Sequence, residues 1–356
     1  MKQVTLVTGG SGFIGSALIR HLVNNNHDQI LNLDAQTYAG DIERLPIDSA
    51  IQTIEGDICD RKLVPQLFNN YKPTRVFHFA AESHVDRSID GPEAFIKTNV
   101  EGTLNLLQCA NHYWQKLRKP HQDSFRFIHI STDEVYGALG FEDKPFTETS
   151  SYKPSSPYAA SKAASDHLVY SWWKTFNLPT IMTHCSNNYG PWQFPEKLIP
   201  LMISKALRED FLPVYGNGSN IRDWIFVDDH VRAILKIAKH SNPGERWNIG
   251  SECEISNLDL VNYLCDYLDQ ERPRPTGVSY RKLIKFVTNR PGHDLRYALN
   301  IDKLKYEFKW EPQVSFDQGL LQTIDWNLQN QDWIQRTIAR GNYTKQSRLG
   351  LANRKE

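Results

Sequence analysis

The sequence predicts an α/β fold in which helices cover both faces of a doubly wound parallel sheet, with a smaller mixed α/β part toward the C-terminus. Two observations carry this prediction. Short apolar stretches alternate with amphipathic helical stretches from Val4 onward, which is typical of parallel strands joined by helical crossovers. A glycine-rich turn and a helix directly follow the first strand, which is the order that begins a dinucleotide-binding unit.

The composition is that of an ordinary globular protein, and its 356 residues suffice for two domains. Hydrophobic residues make up 40% and charged residues 23% of the chain. Lys+Arg and Asp+Glu both number 41. This balance gives no electrostatic reason to expect a nucleic-acid or membrane partner.

The termini and cysteines indicate a cytoplasmic location. We find no signal-peptide pattern and no apolar run approaching the roughly 20 residues of a membrane span. The 5 cysteines are scattered without a C-x-x-C pair, which is typical of a reduced protein. The 12 histidines show no metal-ligand spacing, so we expect no metal.

Three glycines, Gly9, Gly12 and Gly15, follow the first predicted strand and open an amphipathic helix. Glycine at these positions permits a tight turn, close approach of a pyrophosphate to the backbone, and close packing of helix on strand. Free N–H groups at the start of the helix then hold the diphosphate. An ordinary glycine-rich turn is the alternative, and the position after an N-terminal strand favours a dinucleotide site.

Asp34 strengthens that interpretation. It ends the second predicted strand, 19 residues after Gly15. An acid near this distance binds the ribose 2′-hydroxyl of a dinucleotide, and a carboxylate there repels a 2′-phosphate. The sequence therefore predicts a Rossmann-type sheet that binds NAD rather than NADP.

The alternation of strands and helices continues to residue 185. Further strands are predicted over 51–54, 75–79, 125–130 and 179–183, with a helix capped by Asp60 and a long helix over 92–114. Asp57 and Ile58 follow the third strand, where an adenine can be held. Ala80 and Ala81 follow the fourth strand, where small side chains let a cofactor approach.

After residue 185 the regular alternation weakens. We predict turn chemistry over 187–191, helices over 195–206, 229–239 and 316–328, strands over 221–227 and 247–250, and a helix capped by Ser256. The expected domains are a cofactor-binding domain from 1–185 and 222–250, a second domain from 186–221 and 251–340, and a polar tail from 341–356.

Chemically capable residues cluster in the middle of the chain. Thr132, Asp133 and Glu134 come directly after a buried strand, at the edge where open α/β sheets bind ligands. Tyr158 and Lys162 are four residues apart, so they share one face of the next helix. Ser155 or Ser156 can cap that helix, and a proline follows at its first position.

These residue types suit proton transfer coupled to hydride transfer. Tyr158 can take the proton of a carbinol hydroxyl, and Lys162 with the positive nicotinamide can lower the phenol's pKa from about 10. Oxidation alone needs no carboxyl pair. Elimination of water needs a base and an acid, and Asp133 and Glu134 can divide that work if their pKa values differ. The alternatives are a surface Tyr–Lys pair and exposed strand-end acids.

The motifs resemble the extended short-chain dehydrogenase/reductases, and more narrowly the nucleotide-diphosphate-glucose 4,6-dehydratases. The resemblance covers about residues 4–328. It is carried by the segments 8–15, 80–88, 131–137, 186–190, 194–200 and 290–294, together with Tyr158 and Lys162. As the family is known, 4-epimerases carry small residues in place of the acid pair.

The resemblance implies a reaction and a role for each central residue. Tyr158 takes the O4 proton of the sugar while hydride passes from C4 to NAD. Glu134 removes the C5 proton, Asp133 protonates the C6 hydroxyl that leaves as water, and hydride returns to C6. Thr132 donates a hydrogen bond to the sugar, and Lys162 orients the NAD ribose.

The resemblance also implies the binding residues. Those for NAD are Gly9, Gly12, Phe13, Ile14, Gly15, Asp34, Ala35, Gln36, Thr37, Asp57, Ile58, Phe79, Ala80, Ala81, Glu82, Ser83, Thr98, Tyr158, Lys162 and Asn188. Those for the nucleotide sugar are Ser83, Thr132, Asn187, Lys197, Leu198, Pro213, Tyr215, Arg222, Asn257, Arg290 and His293.

Several positions depart from the family pattern, namely Gln36, Asp41, Trp192 and Glu252 with Cys253. None belongs to the proton-transfer set, but pocket lining decides the sugar and base.

A thymidine-linked glucose is the favoured substrate, and a uridine-linked sugar in a 4,6-dehydratase or a 4-epimerase is the alternative. A non-catalytic NAD-binding protein has no need of the acid pair. A homodimer through the helices that begin near Pro92 and Tyr158 is also implied.

Overall fold

The structure is a computed structural model that describes residues 3–25 and 29–340. The strands in these ranges are β1 Val4–Thr8, β2 Gln29–Asp34, β3 Ile51–Glu55, β4 Arg75–His78, β5 Arg126–Thr132, β6 Thr180–Cys185, β7 Asn187–Tyr189, β8 Leu212–Tyr215, β9 Ile221–Phe226, β10 Arg246–Ile249, β11 Glu254–Ser256 and β12 Ile284–Val287.

The helices begin and end close to sequence signals. They are α1 Phe13–Asn25, α2 Leu63–Tyr71, α3 Val85–Asp90, α4 Glu93–Phe95, α5 Thr103–Gln115, α6 Lys119–Ser124, α7 Pro157–Phe176, α8 Leu198–Leu207, α9 Val227–His240, α10 Asn257–Glu271, α11 Asp302–Phe308, α12 Phe316–Gln329 and α13 Gln331–Arg340.

Seven strands form one parallel sheet in the order β10-β6-β5-β4-β1-β2-β3. The strand order reverses between β1 and β4, and ligands bind at such a switch point, beyond the carboxyl ends of the strands. The predicted doubly wound, Rossmann-type fold is confirmed.

Apolar side chains cover both faces of this sheet. On one face Leu18 and Leu22 of α1 pack with Ile234 of α9. On the other face Phe68 of α2 packs with Leu106 of α5 and Val169 of α7. Since parallel strands must be buried on both faces, this double cover is what lets their carboxyl ends form one rigid edge.

A second apolar core lies under the remaining strands. It joins Ile203 of α8, Leu264 of α10 and Ile324 of α12 to Trp224 and Phe226 of β9. Here β9 pairs with β7 and β11, and β12 pairs with β8 in a separate small sheet. This mixed α/β arrangement stands against the open edge of the large sheet.

The region predicted as one long helix over 92–114 is divided. After α4, the segment Ile96–Gly102 is π-helical, and α5 begins only at Thr103. The wider turn places Asn99 where its side chain bonds both the N–H and the C=O of Glu82 and the hydroxyl of Ser161. Such a bulge commonly marks a functional region, and it ties the segment to the cleft wall.

Other local predictions needed correction. The predicted turn over 187–191 begins with β7, because Asn187 and Asn188 pair with Trp224 and Ile225 of β9. The helix predicted from 195 begins at Leu198, which leaves Lys197 free to face the cleft. The sequence patterns did not predict β8, β11, β12, α6, α11 or α13. They predicted a polar loop over 83–88, where the helix α3 in fact begins at Val85. The predicted polar tail, 341–356, lies outside the described residues.

Candidate active site

A deep cleft follows the carboxyl ends of β1, β2, β4, β5 and β6. A cavity of about 410 Å³ fills the side next to the large sheet. A second cavity of about 200 Å³ adjoins it beneath the small sheets. Ser83, Glu134, Asn187, Lys197 and Leu198 line both cavities. We call these the cofactor half and the sugar half of the cleft.

The glycine turn opens the cofactor half. Gly9 has a φ of +72°, and a Cβ there would lie 2.6 Å from the backbone nitrogen of Ala80. A Cβ on Gly15 would lie 2.3 Å from the carbonyl oxygen of Gly9, so helix and turn touch. A Cβ on Gly12 would approach only Gly9 O, at 3.1 Å, and Gly12 lines the cavity. The cradle therefore fits a diphosphate beside the free N–H groups of the first turn of α1.

Asp34 is held rigidly at the end of β2. Its two carboxylate oxygens accept the N–H groups of Ser11 and Gln36, each at 2.9 Å. Burial raises the pKa of Asp34, and these two hydrogen bonds oppose the rise. The fixed acceptor suits a ribose hydroxyl, as the spacing from Gly15 predicts.

Almost all the predicted cofactor residues line the cofactor half. They are Gly9, Gly12, Phe13, Ile14, Gly15, Asp34, Ala35, Thr37, Asp57, Ile58, Phe79, Ala80, Ala81, Glu82, Ser83, Thr98, Tyr158, Lys162 and Asn188. Gln36 is not brought to the cavity. Its side-chain amide donates to the hydroxyl of Ser11 at 2.8 Å, behind the turn.

The end of β5 places the acid pair. Thr132 caps a short 3₁₀ turn over Asp133–Tyr136, and its hydroxyl accepts the N–H of Glu134 at 3.3 Å. The same hydroxyl donates to Asp133 Oδ1 at 3.2 Å. The turn directs both carboxyls into the cleft, and Thr132, Asp133 and Glu134 all line the cofactor half.

Helix α7 brings Tyr158 and Lys162 to the same wall. Ser156 caps it by accepting the N–H of Ala159 at 3.1 Å, so of the two predicted serines Ser156 is the cap. Lys162 Nζ donates to Ile130 O at 2.7 Å, two strand positions before Thr132. Tyr158 is 8% exposed and lines the cavity with Lys162.

Electrostatics separate the two adjacent carboxyls. Burial, then Glu134 and Asp223, raise the pKa of Asp133 well above its usual range, which favours the protonated form of this carboxyl. Burial also raises the pKa of Glu134, but the cations Arg290, Arg222 and Lys197 act in the opposite direction. A neutral acid beside a more readily ionised carboxyl is the pair that elimination requires.

Tyr158 is a neutral phenol in this structure. Burial and the nearby Glu134 raise its pKa well above the usual range, and the Thr132 hydroxyl opposes that rise. Lys162 is directed at Ile130 O rather than at the phenol. The sequence-based expectation that Lys162 lowers the pKa of Tyr158 is therefore not met by these residues alone.

The sugar half is lined by residues that are distant from one another in the chain. Its lining includes the predicted residues Ser83, Asn187, Lys197, Leu198, Pro213, Tyr215, Arg222, Asn257, Arg290 and His293. Thr132 stands at the border, in the cofactor half. The structure thus brings all the predicted sugar residues to one continuous cleft.

Three cations converge on this half of the cleft. Arg222 packs over the Tyr297 ring at 4.3 Å and donates to Asp294 O at 3.0 Å. Arg290 Nη1 lies 3.2 Å from Asp86. Among the described residues no carboxylate forms a salt bridge with Arg222 or Lys197. Guanidinium and ammonium donors in one cavity suit a diphosphate, even though Arg290 is already paired with Asp86.

Sequence reasoning did not find several cleft residues. Arg44, 1% exposed, lines the cofactor half and donates to the carbonyls of Ser11 and Trp192. Asp86 and Tyr297 line the sugar half. No motif marks Arg44 or Tyr297, which reach the cleft only through the packing of distant segments, whereas Asp86 lies within the segment 80–88 that carries the family resemblance.

Two further properties of the described residues bear on function. No group of three or more His, Cys, Asp or Glu side chains in residues 3–25 and 29–340 is arranged to hold a metal ion. No helix in the same ranges combines the length and apolar character that a membrane crossing requires.

Comparison with known proteins adds to this geometry. A family described as GDP-mannose 4,6 dehydratase matches residues 6–323. Similar chains include dTDP-glucose 4,6-dehydratases from Shigella flexneri, 50% identical over 95% of this chain and 96% of the relative. The enzyme of that name from Neisseria meningitidis serogroup B is 51% identical over 98% and 99%.

Solved structures agree. The dTDP-glucose 4,6-dehydratase DesIV from Streptomyces venezuelae, solved with NAD and dTDP bound, superposes with a TM-score of 0.86 at 40% identity, covering 94% of this chain and 100% of that one. A UDP-glucose 4-epimerase from Thermotoga maritima reaches 0.81 at 28% identity, with 92% and 100% covered. With half its residues shared over nearly the full length, the chain belongs to the dTDP-glucose 4,6-dehydratase family.

Proposed function

We propose that the protein is a dTDP-glucose 4,6-dehydratase, an NAD-dependent hydro-lyase that converts dTDP-glucose to dTDP-4-keto-6-deoxyglucose and water for deoxysugar biosynthesis. The observation that carries this proposal is the acid pair Asp133–Glu134 in the cleft beside Tyr158. Burial raises the pKa of both carboxyls, well above the usual range at Asp133 and against the opposing charges of three nearby cations at Glu134. The half-identical relatives of that name support it independently.

Binding of the dinucleotide rests on the cofactor half. The glycine turn would hold the diphosphate, Asp34 the ribose, and Asp57 with Ile58 the adenine. Bound there, NAD would accept a hydride from C4 of the sugar and give it back at C6. The site fits this group because Gly12 leaves the cradle open and Asp34 presents a fixed acceptor.

The chain's own residues perform the proton transfers. Tyr158, at the end of the cofactor half, takes the proton of the sugar O4. Since it is a neutral phenol in the protein alone, it needs a nearby positive charge, which a bound nicotinamide supplies. Thr132 donates a hydrogen bond from its hydroxyl to the same sugar oxygen.

The acid pair then eliminates water. Glu134 removes the proton at C5, which the neighbouring C4 carbonyl has made acidic. Asp133, whose raised pKa favours its protonated form, gives its proton to the C6 hydroxyl, which leaves as water. When hydride returns to C6, C5 takes up a proton again, which completes the 4-keto-6-deoxy product. Arg222, Arg290 and Lys197 hold the diphosphate of the nucleotide sugar at the far end of the cleft.

The test follows one atom through the reaction. Incubating the protein with dTDP-glucose deuterated at C4 should give product with deuterium at C6 and no net accumulation of NADH, measured by NMR and absorbance. Label in free NADH or in solvent would overturn the proposal. UDP-glucose in parallel separates the alternative, since a keto sugar or a 4-epimer formed faster from it would identify a UDP-sugar enzyme.

The domain division and assembly also remain proposals. We propose an NAD-binding domain over 1–185 and 222–250 and a sugar-nucleotide domain over 186–221 and 251–340.

The outer face of α7 presents Ala160, Ala164, Leu168 and Trp172 at four-residue spacing, partly or fully exposed. This strip supports a homodimer through α5 and α7. Light scattering of the protein and of Ala164→Glu, expected to be monomeric, tests it.

A cytoplasmic location is proposed on the cysteines. All five, Cys59, Cys109, Cys185, Cys253 and Cys265, are free thiols. Free thiols are typical of reducing compartments. Fractionation of the source cells with an antibody to the chain would check this location.

A further inference from the structure

A fully buried carboxylate, Asp166, lies behind the catalytic wall and has no role in the proposed chemistry. It is 0% exposed and lies on α7, four residues beyond Lys162. Its Oδ2 accepts hydrogen bonds from the Ser131 hydroxyl at 2.8 Å and the Tyr152 hydroxyl at 2.9 Å. Isolated buried carboxylates are costly, so one retained here needs a reason.

Apart from Tyr152, the partners of Asp166 come from β5, the strand that carries the acid pair, and from its neighbour β6. Besides Ser131, β5 contributes His129, whose Nε2 lies 3.1 Å from Asp166 Oδ1. From β6, His184 Nε2 lies 3.2 Å from Oδ2. Between these two β5 residues, Ile130 accepts the hydrogen bond of Lys162. Three consecutive strand residues are thus bound by two side chains of α7.

These contacts between α7 and β5 connect the two elements that carry the catalytic residues. Residues 129–131 directly precede Thr132, Asp133 and Glu134 on β5, while Lys162 and Asp166 follow Tyr158 on α7. The distance between Tyr158 and the acid pair depends on how α7 sits on β5. The hydrogen bonds from Ser131 to Asp166 and from Lys162 to Ile130 O fix the position of α7 on β5.

Charge is the second part of the argument. Lys162 is 4% exposed, so its ammonium is costly unless an anion lies near. Burial lowers the pKa of Lys162, and Asp166 is the largest influence that opposes this. Residues three or four apart on a helix are neighbours, with Cβ atoms about 5–6 Å apart.

The other groups facing Lys162 are neutral. Burial, with Lys162 itself, lowers the pKa of His129 to about 4, and burial lowers that of His78 on β4 well below its usual range. Burial raises the pKa of the Cys185 thiol on β6 to about 12. From α7 itself Tyr158 is a neutral phenol. Of these neighbours, Asp166 carries the negative charge.

We propose that Asp166 is a positioning residue that holds Lys162 in its charged form and fastens the helix of Tyr158 to the strand of the acid pair. The inference rests on the proposed function for its kinetic readout. The negative charge of Asp166 keeps Lys162 protonated at pH values at which a buried lysine without a nearby anion would lose its proton.

The test compares charge with hydrogen bonding. Asp166→Asn keeps the shape and removes the charge, so Lys162 should deprotonate at lower pH. The alkaline limb of the kcat profile for dTDP-glucose is expected to move about one pH unit or more toward neutrality. Ser131→Ala removes one hydrogen bond and keeps the charge. It should lower kcat and leave the limb in place.

NAD retention supplies a readout that does not depend on turnover. Because Lys162 is proposed to hold the ribose as an ammonium, Asp166→Asn should release NAD at a lower pH than the wild-type protein, measured by gel filtration and absorbance. If wild-type protein fails to convert dTDP-glucose, the proposed function fails, and the NAD-release profile still decides the role of Asp166.

Two outcomes would overturn the inference. One is a folded Asp166→Asn protein with an unmoved alkaline limb and unchanged NAD release. The other is an equal shift in Ser131→Ala. If Asp166→Asn does not fold, Asp166→Glu carries the test. It keeps the charge and should keep the wild-type alkaline limb, and a limb displaced as far as expected for Asn would contradict the proposal.

Discussion

The two halves of the cleft are built in different ways. The cofactor half is formed mostly by residues that directly follow strands of the large sheet, such as Gly9 after β1, Asp34 at the end of β2 and Ala80 after β4. The sugar half is formed by side chains of the segment 83–86, of α8, β8 and β9, of the start of α10 and of the loop before α11. Backbone shapes the first half, and side chains shape the second.

This difference separates what each half can recognise. In the cofactor half, glycines and main-chain N–H groups form the cradle, so recognition depends on backbone geometry. In the sugar half, Arg222, Arg290 and Lys197 offer charge from flexible side chains held by stacking and carbonyl contacts. The acid pair lies at the border, where both halves influence its protonation.

The largest effect is expected at that border. Glu134→Gln keeps the shape and removes the base, so kcat for dehydration should fall by about 10² to 10⁴. Solvent deuterium should no longer enter C5, as measured by NMR of recovered sugar, whereas NAD and dTDP-glucose should still bind. Near-normal dehydration by Glu134→Gln would remove the acid pair from the mechanism.

A smaller effect is expected from the sugar half. Arg222→Gln should raise KM for dTDP-glucose about 10- to 100-fold, because a charged hydrogen bond is worth about 1.5–3 kcal/mol. The amount of NAD bound to the purified protein should stay unchanged. This tests whether a substitution in the sugar half leaves cofactor binding unaffected. Arg281→Gln, an exposed arginine paired with Asp266, is the matched control and should leave KM as it is.

Helix α13 packs against the loops that border the cofactor half, so a substitution in α13 can change how NAD is held. Trp333 donates to Asp41 at 2.8 Å and packs edge-on against Trp192 at 5.2 Å, and Arg44 lies over its ring. These contacts hold the loops on either side of the cofactor half. Trp333→Phe loses one hydrogen bond of about 1 kcal/mol.

We therefore expect NAD to dissociate several-fold faster from Trp333→Phe, measured by stopped-flow displacement, with KM for dTDP-glucose little changed. Trp310→Phe is the control. It is similarly buried, at 5% exposed against 4% for Trp333, but it packs in the core near α11, away from the cleft. Equal NAD release by the two variants would show that α13 does not hold the cofactor loops.

The smallest effect concerns acid stability of the large sheet. Burial lowers the pKa of His129 to about 4 and of His230 to about 3. Since unfolded histidine titrates near 6.5, the unfolded chain takes up protons first as pH falls below that value. Stability should then decline by about 1.4 kcal/mol per pH unit for each such histidine.

His230→Asn should make this decline shallower by about one proton, measured by urea unfolding across the acid range. The His230 ring bonds Asn188 Oδ1 at 2.8 Å, and Asn can keep a donor there. An unchanged slope would mean that His230 is not buried neutral.

Sequence patterns predicted the fold and the family, which the structure and the comparisons confirm. The sequence alone identified four local features: the glycine turn, Asp34, the 131–137 segment and the Tyr158–Lys162 pair. Each is a local pattern whose meaning depends on neighbours within a strand, a turn or a helix. The strand β7, the late start of α8 and the helix α13 were not readable, since their short or polar stretches are stabilised by distant partners.

What the sequence by itself determined is therefore the order of elements and the local backbone that receives a dinucleotide, because hydrophobic period and glycine conformation act over a few residues. Only the tertiary structure decided that Gln36 turns away to Ser11, that Arg44 and Tyr297 reach the cleft, and that Asp166 lies behind Lys162. Those positions depend on how separate segments pack, and the ionisation of Asp133, Glu134 and Lys162 depends on the burial that this packing creates.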